Sequence, residues 1–598
     1  MEFQRTMVWV IFAFSLVLLW DRWEVAHGGR AMFPAFSPSA AVNPAPADAG
    51  HGGAPAAGPS GGAGPLPAAS AAAGAGSGST AGSTAAAGAG GVPVAPLSGV
   101  GAAVELVHVE TDLFRADFDP QGAVLVRAEL LKEDVSADWT AEGLAGFITR
   151  TPPKASEHIV LFDRSANREY LAETGLFVGV NGPELPNHRS TRFAPVPGPR
   201  SLGGDRNELD VAFEAESNGV RLRKTFVFQR GHYDIQVRHE VQNTGAEAVK
   251  PSLYLQLTRD NGANEGESRF YKTYTGPALY TDSDHYHKVP FDDIAKKDAF
   301  APKPTDNGWL AMVQHYFLSA WIPPAGVQRD FYTRAISDKL FTIGAIVPLG
   351  ELAPGAQVTQ QDVLYVGPQD QIELDKLAPG LDRVADYGWL DPIAKPLFWL
   401  LGYLDRVVGN WGWAIVLLTI LVKLALYPLA AAGFKSMARM KEMAPRLQAL
   451  KEQYGEDKQR LQVAMMELYK KEKINPVGGC LPIVVQIPVF IALYWVLLGS
   501  VEMRNQPWVL WIHDLASPDP WFVLPALMMI TSWVQFKLQP TPPDPVQAKM
   551  MMIMPLVFGV MFFFFPSGLV LYYVLNNGLS MLQQWRINHS IASARKVG

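Results

Sequence analysis

The stretch "LLTILVKLALYPLA", residues 417–430, sets one lysine inside an otherwise apolar run. A cation near the centre of a bilayer costs roughly 2.5 to 3.5 kcal/mol on insertion scales, so a membrane span that keeps one has a use for it. The surroundings favour a span. Residues 413–429, 481–499, 521–538 and 550–582 are all apolar runs, near or above the length that covers the hydrocarbon thickness. The last block is interrupted by Pro566, Ser567 and Gly568 in "FFFFPSGLV", which reads as a tight hairpin between two short spans. With a further apolar run at residues 7–20, the expected fold is a polytopic α-helical membrane protein of six transmembrane helices.

Charge orients these spans. The loop 435–475 holds ten Lys or Arg residues, whereas the loop 500–520 holds Arg504 against Glu502, Asp514 and Asp519. Basic loops stay in the cytoplasm, so the first is inside and the second outside. Arg586, Arg595 and Lys596, with no acidic neighbour after Trp585, put the tail 586–598 inside as well. Both termini and the loop "QPTPPDP" are then cytoplasmic.

The chain of 598 residues is 48% hydrophobic with a net charge of -6, a balance without the global basic character of a nucleic-acid binder. Its single cysteine, Cys480, excludes an intramolecular disulfide and a CxxC zinc site. "VGGC" lies mid-chain, where no lipoprotein processing site belongs. Residues 1–25 read as a retained anchor, because mixed charges rather than a small-x-small cleavage site follow the apolar run. Residues 26–101, rich in Ala, Gly, Pro and Ser, have too few large apolar side chains to offset the entropy of ordering and read as a tether.

From residue 102 to 368 the pattern alternates. "VAFEAESNGVRLRKTFVFQRGHYDIQVRHEVQNTG" places apolar and polar residues in turn between the turn signals Asn218-Gly219 and Arg230-Gly231, which predicts a β-meander within a large antiparallel sandwich outside the membrane. "DSDHYHK", residues 282–288, matches no metal-ligand spacing and reads as a solvated loop. Within 369–410, Trp389, Ile393, Leu397, Leu400, Leu404 and Val407 recur at helical spacing. They predict an amphipathic helix that either lies in the membrane interface or packs on the sandwich.

The core then runs over 411–585. Its loop 435–475 has apolar residues at Met437, Met440, Leu447, Leu450 and Tyr454, then at Leu461, Met465 and Leu468, around Gly455-Glu456-Asp457. An antiparallel helical hairpin projecting into the cytoplasm fits that pattern. Its methionines suit either an adaptable surface or, more plainly, packing between the two helices. No phosphate-binding glycine loop, dinucleotide fingerprint or H-E-x-x-H occurs, so the reading names no enzyme activity, no cofactor and no metal.

Polar residues inside the spans are few: Thr419 and Lys423, Gln486, Thr531, Ser532 and Gln535, then Asn576, Asn577 and Ser580. Thr419, Lys423 and Tyr427 are spaced to share one face of a continuous helix. Two uses of Lys423 stand side by side. It lines a hydrated concavity in the bundle, or it snorkels to the cytoplasmic headgroups.

"VKLALYPL", "EKINPVGGC", "QIPVFIALYW", "WIHDL" and "FPSGLVLYYV", in this order around a charged hairpin, closely resemble the YidC family of membrane protein insertases from about Tyr387 onward. The anchor and sandwich are similar to the arrangement in Gram-negative members. The resemblance implies an insertase and chaperone of the bacterial inner membrane. Nascent transmembrane segments would pass from the cytoplasm into the bilayer through a hydrophilic groove formed by five spans. It implies nascent membrane proteins, the Sec translocon, ribosome and signal-recognition components, and lipids as partners. Lys423 matches the groove's central cation, which is arginine in many relatives. Gln486, Ile487 and Pro488 match the substrate-contacting third span, and Thr419, Tyr572 and Tyr573 match positions that line or support the groove. Two other readings remain at this point: a small-solute transporter, which inverted repeats would support, and a membrane-anchored carbohydrate-binding protein.

Overall fold

Alternation at period two builds the first half of the molecule. In the computed structural model, which describes residues 92–93, 105–134, 158–165, 168–179, 182–262, 273–455, 457–472, 481–538, 552–553 and 559–597, strands Glu208–Ser217, Val220–Gln229 and Asp234–Asn243 form the meander. Asn218 and Gly219 both take positive φ, the backbone that closes a two-residue hairpin without splaying its strands. The anchor and Cys480 lie outside the described residues, as do the tether except Val92 and Pro93, and the loop "QPTPPDP" except where its neighbours are given.

Two nine-stranded antiparallel sheets face each other. In the first, Arg168–Phe177, Ser252–Asp260, Leu340–Pro348 and Asp330–Ala335 are successive neighbours. In the second, Gln357–Pro368 lies between Phe317–Ile322 and Asp234–Asn243. Leu253, Leu255, Leu257, Phe341 and Ile343 of one sheet meet Leu209, Val211, Phe213, Val237 and Val241 of the other in one apolar core. The cluster at residues 282–288 is a correction to the loop reading: His285–Lys288 is an edge strand paired with Gly276–Thr281. His, Tyr, His and Lys alternate there as a half-exposed strand does.

The second half is helical. We label its helices α1 (Asp391–Val408), α2 (Trp411–Ala425), α3 (Tyr427–Tyr454), α4 (Lys458–Lys471), α5 (Leu481–Gly499), α6 (Val523–Leu538) and α7 (Ser567–Val597). Pro396 does not stop α1, and Gly409 ends it in the left-handed region. Its buried face is Ala394, Phe398, Leu401 and Leu404, packed into the helical core, while Trp389, Trp399, Tyr403 and Val407 are exposed. Of the expected stripe, Leu404 lies in this core and Ile393, Leu397 and Leu400 pack against it partly buried, while its two ends, Trp389 and Val407, lie outside. The helix packs on the bundle rather than on the sandwich.

Among the described residues no single helix is long and apolar enough to cross a membrane, whereas α2 and the first part of α3, to Met440, pass together although bent by 65°. This corrects the expectation of a continuous helix through Lys423 and Tyr427. Pro428 has no amide hydrogen and its ring crowds the preceding turn, so the chain breaks at Leu426 and restarts. A second break, a 3-10 turn at Phe562–Phe564 followed by Pro566, precedes α7. Beyond the bend, α3 and α4 form the charged hairpin. Met443 and Leu447 are buried against Met465, Leu468 and Tyr469, whereas Met466 is exposed.

Sandwich and bundle meet at the loop after α5. Arg504 donates from Nη2 to the Asp134 carbonyl at 2.5 Å, sits 3.6 Å from Glu133 and lies over the rings of Tyr316 and Phe317. Lys288 pairs with Asp386, and Gln371 donates to the Tyr387 hydroxyl at 2.7 Å. Glu502 is enclosed in the same junction. Burial pushes its carboxyl from 4.5 up to about 8; Asp370 adds to the rise, and the backbone amides of Glu502 and Gln371 oppose it. The folded protein therefore holds this proton between pH 4.5 and 8 while the unfolded chain releases it. Its stabilising effect is full below 4.5 and is lost as pH rises through that window. The midpoint of thermal unfolding in detergent is expected to fall between pH 5 and pH 8, and Glu502→Gln to flatten the slope. An unchanged slope in the variant would assign the pH dependence to another group.

Candidate substrate groove

Most polar residues of the spans gather at two nodes on α7. At the first, the Lys423 ammonium in the last turn of α2 donates to Ser580 Oγ at 2.7 Å and to Gln486 Oε1 at 3.3 Å. Gln486 donates from Nε2 to Asn576 Oδ1 at 2.5 Å. Ser580 Oγ in turn donates to the Asn576 carbonyl at 2.7 Å. One cation thus joins α2, α5 and α7. Lys423, Gln486 and Asn576 are only partly buried, so the node opens at the surface of the bundle. Hydrogen bonds from an ammonium to neutral oxygens replace part of its hydration without cancelling its charge.

At the second node Asn577 donates to Ser532 Oγ at 2.9 Å and Thr531 Oγ1 at 3.4 Å, tying α7 to α6. Asn576 and Asn577 are adjacent and so point about 100° apart round the helix, enough to reach different neighbours.

The expected site residues divide. Lys423 and Gln486 come together. Thr419 is buried and donates to its own helix at the Ile415 carbonyl, 2.7 Å away, so it offers no polar surface beside Lys423. Ile487, at 48% exposure, lies on the outer face of α5 next to the inward Gln486, and Pro488 is partly buried. Tyr572 is buried in the helical core, its ring 6.4 Å from that of Phe490. Tyr573 packs on Phe490 at 4.5 Å and Phe562 at 4.7 Å. The two tyrosines therefore build the wall behind the node. Asn576 and Ser580 complete the node without having been assigned to it from sequence. Their signal was polarity within an apolar run.

The loop after α5 ties together the starts of α6 and α7. Asp519 is buried and accepts from Leu524 N at 2.6 Å, Trp511 Nε1 at 2.9 Å and Trp521 N at 3.0 Å, which caps the approach to α6. Ser567 N donates to the Ser517 carbonyl at 2.7 Å, Gly568 N to Leu515 at 2.9 Å, and Ser567 Oγ to Asp514 at 2.8 Å. The loop after α5 thereby satisfies the first amides of α7, groups that a helix leaves without intrahelical partners.

A β-sandwich carried on an apolar helical bundle, with a cation held among amides and hydroxyls inside that bundle, defines an integral membrane protein with a large domain outside the bilayer. Two family descriptions match: the YidC periplasmic domain over residues 106–400 and the 60Kd inner membrane protein over 403–594. The membrane protein insertase YidC of Bordetella avium is 53% identical over 591 residues, 99% of each chain. That of Cupriavidus necator is 50% identical over 597 residues, 100% of this chain and 99% of the other. The chain belongs to the YidC family of membrane protein insertases, inner-membrane proteins with a periplasmic domain. Among solved structures, an active YidC insertase is 19% identical, covering 82% of this chain and 94% of its own, with a TM-score of 0.35. A galactose mutarotase related enzyme from Lactobacillus acidophilus is 10% identical, covers 44% of this chain and 97% of its own, and has a TM-score of 0.28.

Proposed function

We propose that this insertase receives the transmembrane segments of nascent proteins at the Lys423–Gln486–Asn576–Ser580 node and releases them sideways into the bilayer, acting alone or beside the Sec translocon. The observation that carries the reading is the Lys423 ammonium, held by Gln486 and Ser580 within an apolar bundle. Apolar residues of the client gain ~0.3 to 0.6 kcal/mol each near the bilayer centre, which supplies the drive. Its polar flank needs a path with fewer dry ångströms. A partly open polar recess supplies one, and exposed Ile487 beside it gives the apolar segment a surface to follow. Lys423 draws acidic flanks inward. The membrane potential adds ~2.3 kcal/mol per elementary charge per 100 mV for negative charge moved outward.

In this reading six spans place both termini and the α3–α4 hairpin in the cytoplasm, where the hairpin meets ribosomes and signal-recognition components, and lipid borders the recess. The sandwich and the loop 500–520 are periplasmic. The test of the activity is insertion of a single-span substrate into vesicles that contain only this protein; no insertion above empty vesicles would defeat it. The test of the topology is labelling in intact cells carrying Cys480→Ser. A cysteine replacing exposed Gln506 is expected to react with an impermeant thiol reagent, and cysteines replacing exposed Gln448 or Ser590 to be protected. Reaction at Ser590→Cys would remove the terminal hairpin from the scheme.

A further inference from the structure

The face of the first sheet that points away from the sandwich core carries a socket. Tyr254 pairs across strands with Gly175, and Tyr332 with Gly344. A β-carbon at Gly175 would come within 2.4 Å of the Tyr254 hydroxyl, and one at Gly344 within 2.4 Å of Tyr332 Cζ. The two glycines therefore let both rings lie flat over the neighbouring strand, a fit that any larger residue would abolish. Each ring is pinned at its far end. The Tyr254 hydroxyl is 2.5 Å from His188 Nδ1 and accepts from the His188 amide at 3.1 Å, and the Tyr332 hydroxyl donates to Gln256 at 2.7 Å.

Val92 fills the space. It is 2% exposed and packs with Phe177, Tyr254, Tyr332 and Ile346. Its carbonyl accepts from Arg334 Nη1 at 3.2 Å. Pro93 then borders a cleft of about 340 Å³, counted out to solvent, whose floor includes Glu173, His188, Gln256 and Thr258. Those floor groups are already engaged with one another: Glu173 accepts from Gln256 at 2.7 Å and Thr258 at 2.6 Å. They ask nothing polar of the occupant.

We propose that this socket is a peptide-binding site for an extended segment made of a β-branched apolar residue followed by proline, and that its resident occupant is the chain's own Val92–Pro93. The chemistry of that pair suits the site. A residue before proline is confined to extended backbone, and proline brings no amide hydrogen that would need an acceptor in an apolar socket. The valine carbonyl is met by Arg334. The sequence also singles out this pair: from Pro67 to Gly91 no side chain exceeds proline or threonine in size, and Val92 is the first large apolar residue after Leu66. The socket therefore fastens the chain to the sandwich at a defined residue, Val92.

The test uses the full chain in nanodiscs with Cys480→Ser. Val92→Cys, which keeps a small apolar side chain, is expected to react with a thiol reagent about tenfold or more slowly than Ser77→Cys in the same linker, with urea equalising the two. A second measurement opens the site with Val92→Asp and adds in trans a fluorescent peptide of residues 88–97, GAGGVPVAPL. The peptide is expected to bind the Val92→Asp protein saturably, to bind wild type at least about tenfold more weakly because the site is occupied, and to lose affinity when Arg334→Met is added. Equal reactivity of the two cysteines overturns the proposal. So does a peptide that fails to bind Val92→Asp, or that binds wild type and Val92→Asp alike.

Discussion

Lys423→Ala is expected to slow insertion of a single-span substrate with an acidic periplasmic tail roughly tenfold, while a neutral-tailed substrate is slowed far less. The magnitude follows from Coulomb's law: two unit charges ~10 Å apart at an effective dielectric of ~20 attract by about 1.7 kcal/mol, nearly twentyfold in rate if fully expressed in the transition state. Lys423→Arg keeps the charge and can still donate to Gln486 and Ser580, so it is expected to retain most of the activity. Lys423→Gln separates charge from hydration, because it preserves a polar node without attracting carboxylates. If the lysine served only to reach headgroups, alanine would remove an expensive charge and leave both substrates unaffected. The measurement is the initial insertion rate into vesicles at matched protein levels. Equal rates for wild type and Lys423→Ala on the acidic tail would end the electrostatic role. An equal loss on both tails would assign the residue to hydration of the recess.

Asp519→Ala is expected to be the more damaging change to the fold. It leaves the buried Leu524 N, and the partly buried Trp521 N and Trp511 Nε1, without their shared acceptor. A buried donor left unsatisfied costs ~1 to 3 kcal/mol and a partly buried one less, so a total of about 4 kcal/mol is expected. At ~2 to 4 °C per kcal/mol for a unit of this size, the unfolding midpoint should drop by roughly 10 °C. Asp519→Asn keeps one acceptor oxygen and should lose about half as much. Because the same loop caps α7 through Ser517 and Leu515, limited proteolysis near residue 510 should accelerate in the alanine variant. A midpoint within about 2 °C of wild type would mean that the loop holds its place without this carboxylate.

The meander was legible because period-two alternation and Asn218-Gly219 are local signals that need no distant partner. The bend at Leu426 was written in Pro428, yet the apolar run on both sides of it outweighed that one residue. The stripe of α1 was legible through Ile393, Leu397, Leu400 and Leu404 but overran at its ends: Trp389 and Val407 are apolar yet exposed, and periodicity alone does not tell an exposed apolar side chain from a core one. Lys423 and Gln486 stood out as polar residues in oily runs. Their connection through Asn576 and Ser580 spans more than 150 positions in sequence, and a single chain holds no signal for which distant polar residues will meet. Asp519 read merely as one negative charge in an outer loop. Its burial arises from how that loop folds onto the starts of α6 and α7, a tertiary fact.

The bend between α2 and α3 also sets a mechanical ratio. The 28 residues of α3, with Pro445 in its interior, span up to ~42 Å at 1.5 Å per residue, while the Lys423 backbone sits ~4.5 Å along the helix from Leu426. A swing of ~5° moves the far tip by ~4 Å but the Lys423 backbone by only a few tenths of an ångström, less than the slack in a hydrogen bond. The joint has the ratio of a reduction gear. With the hairpin in the cytoplasm, as proposed, a displacement of its tip by ångströms leaves the charge at the node nearly in place.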